Sequence, residues 1–169
     1  MDNEILFSET QRFKQWWLWI LLIGINGLMI YGVIAQLVKG HTFGDKPASN
    51  SQLLIGTAIS LLISIFVLNF RLDTKIKNDG IYVRLFPLQL SFKFFPWNSL
   101  IKCYVRKYNA IAEYGGLGWR LGLFGKGTAY NISGNEGLQL EFINRKKLLI
   151  GTQKPEELSE VINNFFSFQ

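Results

Sequence analysis

Two long uncharged apolar runs near the start of the chain constrain it more than any other feature. Neither 16–38 nor 53–70 contains Asp, Glu, Lys or Arg. At a rise of about 1.5 Å per residue they reach roughly 34 and 27 Å as helices, against a bilayer hydrocarbon core of about 30 Å. The residues between them, 39–52, are polar and include Gly40, Gly44 and Pro47, a turn composition. The pattern predicts a two-helix transmembrane hairpin: an N-terminal segment at 1–15, helix one at 16–38, an outer loop at 39–52, helix two at 53–70, and a separate domain at 71–169.

Charge supplies the orientation. Residues from 71 onward hold 14 Lys+Arg against 8 Asp+Glu, a net of +6, whereas the first 70 hold four of each sign. A basic excess confined to one part suits an anionic surface such as the inner leaflet of a bacterial membrane. Arg12 and Lys14 precede the first run and Arg71, Lys75 and Lys77 follow the second, while the loop has only Lys39 and Lys46. The positive-inside rule therefore places both termini in the cytoplasm and predicts a multi-pass protein of the bacterial cytoplasmic (inner) membrane. Asp2, Glu4 and Glu9 with no base before Arg12, followed by so long an apolar run, read as an uncleaved anchor. The single cysteine, Cys103, excludes an internal disulfide.

Within the hairpin, Gly56, Ser60 and Ser64 recur every four residues, a small-residue stripe that lets another helix approach. Span one offers Gly24, Gly27 and Gly32 to it, and a second copy of the chain is the other candidate. Asn26 is the most polar side chain deep in span one, so it is expected to face a helix and not lipid. The absence of Asp, Glu, Lys and Arg from both spans argues against an ion or proton pathway.

After residue 70 the hydrophobic period changes to two. Leu72, Thr74 and Ile76 alternate with charged residues, and Asn78-Asp79-Gly80 marks a hairpin turn. Further alternations run through Ile81, Val83 and Leu85, then Leu88, Leu90, Phe92 and Phe94, then 100–108, 129–132, 138–142 and 148–150. Pro155, Glu156 and Glu157 open a helix whose Leu158, Val161, Ile162 and Phe165 form one apolar stripe. The expected fold is α+β: the hairpin, then about seven antiparallel strands in an open barrel capped by a C-terminal helix.

Residues 113–158 then resemble a known group. Glu113-Tyr114-Gly115-Gly116, Trp119-Arg120, Ala129-Tyr130-Asn131-Ile132-Ser133-Gly134, Gly137-Leu138-Gln139-Leu140 and Leu149-Ile150-Gly151-Thr152-Gln153-Lys154-Pro155-Glu156-Glu157-Leu158 are similar to an uncharacterised membrane-anchored group of bacterial pleckstrin-homology-like proteins. In many of these the domain follows a pair of membrane spans. The resemblance implies a seven-strand barrel with a helical cap and no established activity, since such folds host lipid, peptide and protein binding. Residues 121–127 depart from it by being longer and richer in glycine.

Candidate chemistry is sparse. The glycines at 115, 116, 118, 122, 125 and 127 invite a phosphate-loop reading, but neither Gly-x-x-x-x-Gly-Lys-Ser/Thr nor Gly-x-Gly-x-x-Gly is present. A long hairpin loop is the plainer interpretation. Trp119, Arg120, Leu121, Leu123, Phe124 and Lys126 mix apolar and basic side chains, which suits a loop dipping into headgroups. Lys102, Arg106 and Lys107 form a basic run, Lys75, Lys77, Arg84 and Lys93 lie on other strands, and Arg145, Lys146 and Lys147 crowd one turn. An anion site or an ordinary solvated surface fits these equally. The only histidine, His41, falls in the outer loop, and no cluster has metal-ligand spacing.

No catalytic residue, cofactor, metal or nucleic-acid partner is expected. The sequence points to a non-enzymatic membrane-anchored binding or scaffold module. Trp119, Arg120, Lys126, Lys102, Arg106 and Lys107 are the candidate contacts for a protein partner or anionic headgroups. The alternative is a structural or assembly subunit whose hairpin oligomerises through Gly56, Ser60, Ser64 and Asn26 or escorts a larger membrane complex.

Overall fold

The computed structural model describes residues 4–13, 15–122 and 125–166; Asp2, Lys14, Leu123 and Phe124, all used above, lie outside the described residues. The chain divides into two compact units, residues 14–69 and residues 1–13 together with 70–169.

The first unit is a helical pair. Helix α1, Trp16–Val33, runs on as a π-helical turn at Ile34–Val38, and α2 spans Asn50–Asn69. Both helices are long and apolar enough to cross a membrane, each with a mean hydropathy of 2.2 and few buried residues. Gly32 leaves room for the Phe43 ring, which would lie 2.8 Å from a Cβ there.

The second unit contains nine described strands in two sheets. Strands β1 (Ile5–Arg12), β2 (Arg71–Lys77), β3 (Gly80–Phe86) and β4 (Lys93–Pro96) form an antiparallel sheet in that order. Strands β5 (Leu100–Lys107), β6 (Gly118–Leu121), β7 (Thr128–Asn131), β8 (Glu136–Phe142) and β9 (Lys147–Thr152) form the other, ordered β5-β8-β9-β7-β6. The expected seven-strand antiparallel barrel is thereby corrected. Two sheets of four and five strands do not close, and the β7–β9 pair is parallel.

The extra strands have physical causes. Strand β1 precedes the first apolar helix, yet it pairs with β2 from Arg12↔Arg71 to Ile5↔Lys77. Its inward positions include Glu9 and Gln11, so apolar alternation does not reveal it. Glu9 accepts from the Thr152 hydroxyl at 2.7 Å and from the Gln153 backbone N–H at 2.8 Å, and the Gln11 amide donates to the Gly151 carbonyl. Buried polar groups paired in this way make a polar seam between β1 and the end of β9. The alternation at Leu88, Leu90 and Phe92 is not a strand. There the Gln89 N–H donates to the Leu85 carbonyl at 2.8 Å and turns the chain, and β4 starts only at Lys93.

The Asp79-Gly80 turn behaves as expected. A Cβ at Gly80 would sit 2.4 Å from the Phe95 carbonyl oxygen, so only glycine fits between β3 and β4. The inner faces of both sheets share one core that includes Phe7, Leu72, Val83, Leu138 and Ile150. Helix α4, Pro155–Phe166, covers it with Leu158 and Ile162, and Phe165 stacks on Trp97 at 4.5 Å. The five-stranded sheet also buries part of its outer face: Tyr108, Tyr114, Ala129 and Leu149 pack together there beside the short helix α3, Ala110–Tyr114.

Candidate functional site

Strand β4 and the β6–β7–β9 end of the second sheet flank a groove of about 390 Å³. Period-two alternation aims Lys93 and Phe95 of β4 into it from one side. The Trp119↔Tyr130 pair brings both rings to the other side, and Phe142 and Leu148 complete an apolar wall. Lys146 and Lys147 arrive from the β8–β9 turn, in which Arg145 holds a left-handed backbone with φ 62°. The Asn144 side chain accepts from the Lys146 N–H at 3.1 Å and fixes that turn.

Tyr130 organises the groove's polar end. Its ring is buried, while its hydroxyl accepts from Gln89 Nε2 and Lys93 Nζ, each at 3.0 Å. With both lone pairs occupied, its own proton is left to donate. The ammonium groups of Lys93 and Lys146 and the hydroxyls of Tyr130 and Thr128 thus border a cavity with no carboxylate among its lining residues. Lys147 reaches the groove only with its stem, because its Nζ turns to the outer face of the sheet, 3.6 Å from Glu141 Oε1. Such an arrangement can hold an oxyanion attached to something apolar. A wider depression of about 680 Å³ beside α4 has the opposite character, with Glu136, Glu156 and Glu160 in its lining and no aromatic wall.

Of the six contacts proposed from sequence, the structure brings only Trp119 into this groove. Arg106 and Lys126 meet on the outer face of the same sheet around Glu113. Arg106 donates to both Glu113 oxygens at 3.2 and 2.9 Å, to Gln139 at 3.0 Å and to the Tyr114 hydroxyl at 3.1 Å. Lys126 Nζ lies 3.5 Å from Glu113. The Arg106 guanidinium, hydrogen-bonded to the carboxylate, holds the Glu113 carboxyl down at about 2. Arg106 is therefore a bracket that ties α3 to the sheet. Arg120 turns to the Leu117 carbonyl at 3.0 Å, and Lys102 and Lys107 are exposed on β5 opposite Glu141 and Glu136. The residues that sequence reasoning did not assemble are Lys93, Phe95, Tyr130 and Phe142, which come from three separate strands, β4, β7 and β8.

In the helical pair, Asn26 Nδ2 donates to the Ser64 hydroxyl at 2.6 Å and to the Leu22 carbonyl at 2.7 Å, and the Ser60 hydroxyl donates to Asn26 Oδ1 at 2.8 Å. One small polar network thus joins α1 to α2. Gly56 stands outside it, with nothing within 4 Å of where its Cβ would be.

A two-helix apolar hairpin combined with a two-sheet α+β unit defines the class of protein. The chain belongs to the family of unknown function DUF6141, whose sequence model matches residues 2–168. No curated protein matches it.

Proposed function

We propose that this chain is a non-enzymatic binding module of pleckstrin-homology-like type, anchored in the bacterial cytoplasmic membrane by its hairpin with both termini inside. Its groove takes the anionic part of a lipid headgroup. The observation that carries the reading is the groove itself: aromatic walls, the two lysines Lys93 and Lys146, the free Tyr130 proton and no lining carboxylate.

Two further observations support the anchor. The helices leave side chains such as Ile20 and Leu62 more than 60% exposed, an apolar surface that needs an apolar solvent. Strand β1 precedes the hairpin and β2 follows it, and they pair directly. Both flanks of the hairpin must therefore lie on one side of any membrane it crosses. Arg12, Arg71, Lys75 and Lys77 on these strands favour the cytoplasmic side. The assembly-subunit reading draws less support, because Asn26, Ser60 and Ser64 satisfy one another within a single hairpin.

The test is native mass spectrometry of the full-length protein released from mild detergent with short-chain phosphatidylglycerol or phosphatidylcholine. Retention of phosphatidylglycerol over phosphatidylcholine is expected, with the preference lost in a Lys93→Gln/Lys146→Gln double variant. Equal retention of both lipids by the unaltered protein overturns the assignment.

A further inference from the structure

Leu88 and Leu90 are exposed by 54% and 78% in the β3–β4 connection, although the chain there is ordered by its own hydrogen bonds. The Gln89 N–H donates to Leu85, the Gln89 side chain accepts from the Leu85 N–H at 3.3 Å, and its amide donates to Tyr130. The residue between the two leucines is thus pinned inward and both leucines are held outward.

Strand register says where this connection emerges. Arg12 pairs with Arg71 and Arg71 with Phe86, so the end of β1, the start of β2 and the end of β3 form one row. Residues 87–92 leave the sheet from that row. In sequence, three residues separate Arg12 from α1 and one separates Arg71 from α2. The row is therefore tethered to the ends of the apolar helices by no more than about 15 Å of backbone.

The outer face beside the row is basic and aromatic. Arg12, Arg71, Lys75, Arg84 and Phe92 line a depression of about 440 Å³ there. The Arg84 guanidinium lies 4.5 Å from the Phe92 ring and the Arg71 guanidinium 5.1 Å from the Phe86 ring, which holds both flat against the sheet. Two carboxylates share the depression. Asp73 accepts from Arg84 at 2.7 Å and lies 3.3 Å from Arg71 Nε, and Glu9 is turned to Thr152 and Gln153. Positive charge therefore remains in excess.

We propose that residues 87–92 dip into the interfacial layer of the same bilayer that the hairpin crosses, with Leu88 and Leu90 among the upper acyl chains and Arg12 and Arg71 on lipid phosphates. Exposed leucines rimmed by arginines at the tethered end of a sheet are the composition of an interfacial anchor. The occupant of this surface is anionic lipid. The dip would fix the four-stranded sheet to the membrane at a third point besides its two covalent ones. This inference rests on the membrane reading and assigns the contact to 87–92 in place of the glycine-rich segment.

The test uses the full-length protein with Cys103→Ala, reconstituted into vesicles of phosphatidylethanolamine and phosphatidylglycerol, and carrying one nitroxide at Ile20→Cys, Leu90→Cys, Ile111→Cys or Leu121→Cys. Power saturation compares access to oxygen with access to an aqueous nickel chelate. Labels at 20 and 90 are expected to favour oxygen, with 90 about 5–10 Å below the phosphate level, and those at 111 and 121 to favour nickel. A label at 90 as nickel-accessible as that at 111, with 20 in lipid, overturns this inference and leaves the hairpin standing. Lipid contact at 121 with water at 90 hands the role to the glycine-rich segment. Nickel access at both 20 and 90 removes the anchor and this inference together.

Discussion

Glu113 shows how much a single carboxylate holds on the outer face of the second sheet. It accepts both arms of Arg106 and also caps its own helix, accepting from the Asn109 N–H at 3.0 Å while Asn109 accepts from Ile111 and Ala112. Its carboxyl titrates near 2 in the fold against an ordinary 4.5. The folded state therefore favours the ionised form, and the stabilisation is complete above about pH 5 and lost as pH falls from 4.5 toward 2. A Glu113→Gln variant is expected to lose stability at pH 7 by about 1–3 kcal/mol, the worth of charge-assisted hydrogen bonds. Its further loss between pH 5 and pH 2.5 is expected to be smaller than the parent's. Thermal melts followed by near-UV circular dichroism at both pH values decide it; parallel acid limbs would remove Glu113 from this role. Cys103 makes the complementary case. Partial burial pushes its thiol up to about 12, so iodoacetamide at pH 8 should modify the folded protein more slowly than the unfolded chain, and equal rates would contradict its half-buried position. At this scale Trp119 was legible because a tryptophan amid glycines stands out. Tyr130 was not, because its meaning depends on Lys93, 37 positions away.

Elements were legible in proportion to how far their inward positions are apolar. Helix α4 follows the i, i+3, i+4, i+7 rule, and Leu158 is 1% exposed in the shared core. Leu158→Ala is expected to cost about 2–5 kcal/mol and Leu158→Asp to unfold the two-sheet unit, read by loss of near-UV dichroism and by protease sensitivity. An unchanged melt for Leu158→Asp would mean that α4 does not cover the core. Strands β2 and β3 declared themselves by alternation and by the Asp79-Gly80 turn. Gly80→Ala, which must displace the Phe95 carbonyl, is expected to lower the melting temperature by several degrees, an effect of order 1–3 kcal/mol. Strand β1 hid because Glu9 and Gln11 look outward-facing in sequence while their hydrogen bonds turn them inward. The 88–94 alternation misled for the converse reason. Its leucines share a period with Phe94 but no core awaits them, and periodicity alone does not distinguish a core from a lipid surface. Helix α3 is too short to show a period, and only its Asn109 cap and the left-handed Gly115 (φ 70°) mark it.

At the scale of the whole molecule, the hairpin is an insertion between two strands of one sheet. Thr10 and Asp73 are joined by a 2.8 Å hydrogen bond across 63 positions of sequence, and between the ends of their two strands lie the helical pair and its loop. The boundary at residue 71, natural from hydropathy, therefore cuts the domain. A fragment of residues 71–169 lacks Phe7, a member of the shared core, and it exposes β2 as an unpaired edge. It also leaves the Thr152 hydroxyl and the Gln153 N–H without Glu9. Such a fragment is expected to aggregate or to lack fixed tertiary packing. A fragment in which residues 4–13 are joined to residue 70 through a short Gly/Ser turn is expected to melt cooperatively, because Arg12 and Arg71 are already partners across the sheet. The comparison is made by near-UV dichroism and amide proton dispersion in NMR. A well-dispersed, cooperatively melting 71–169 fragment would show β1 to be an accessory edge. In the full chain the same topology orders assembly: β1 is synthesised first, but it finds β2 only after both apolar helices have been made. Loop closure across the hairpin is thus a step that folding of the sheet must await.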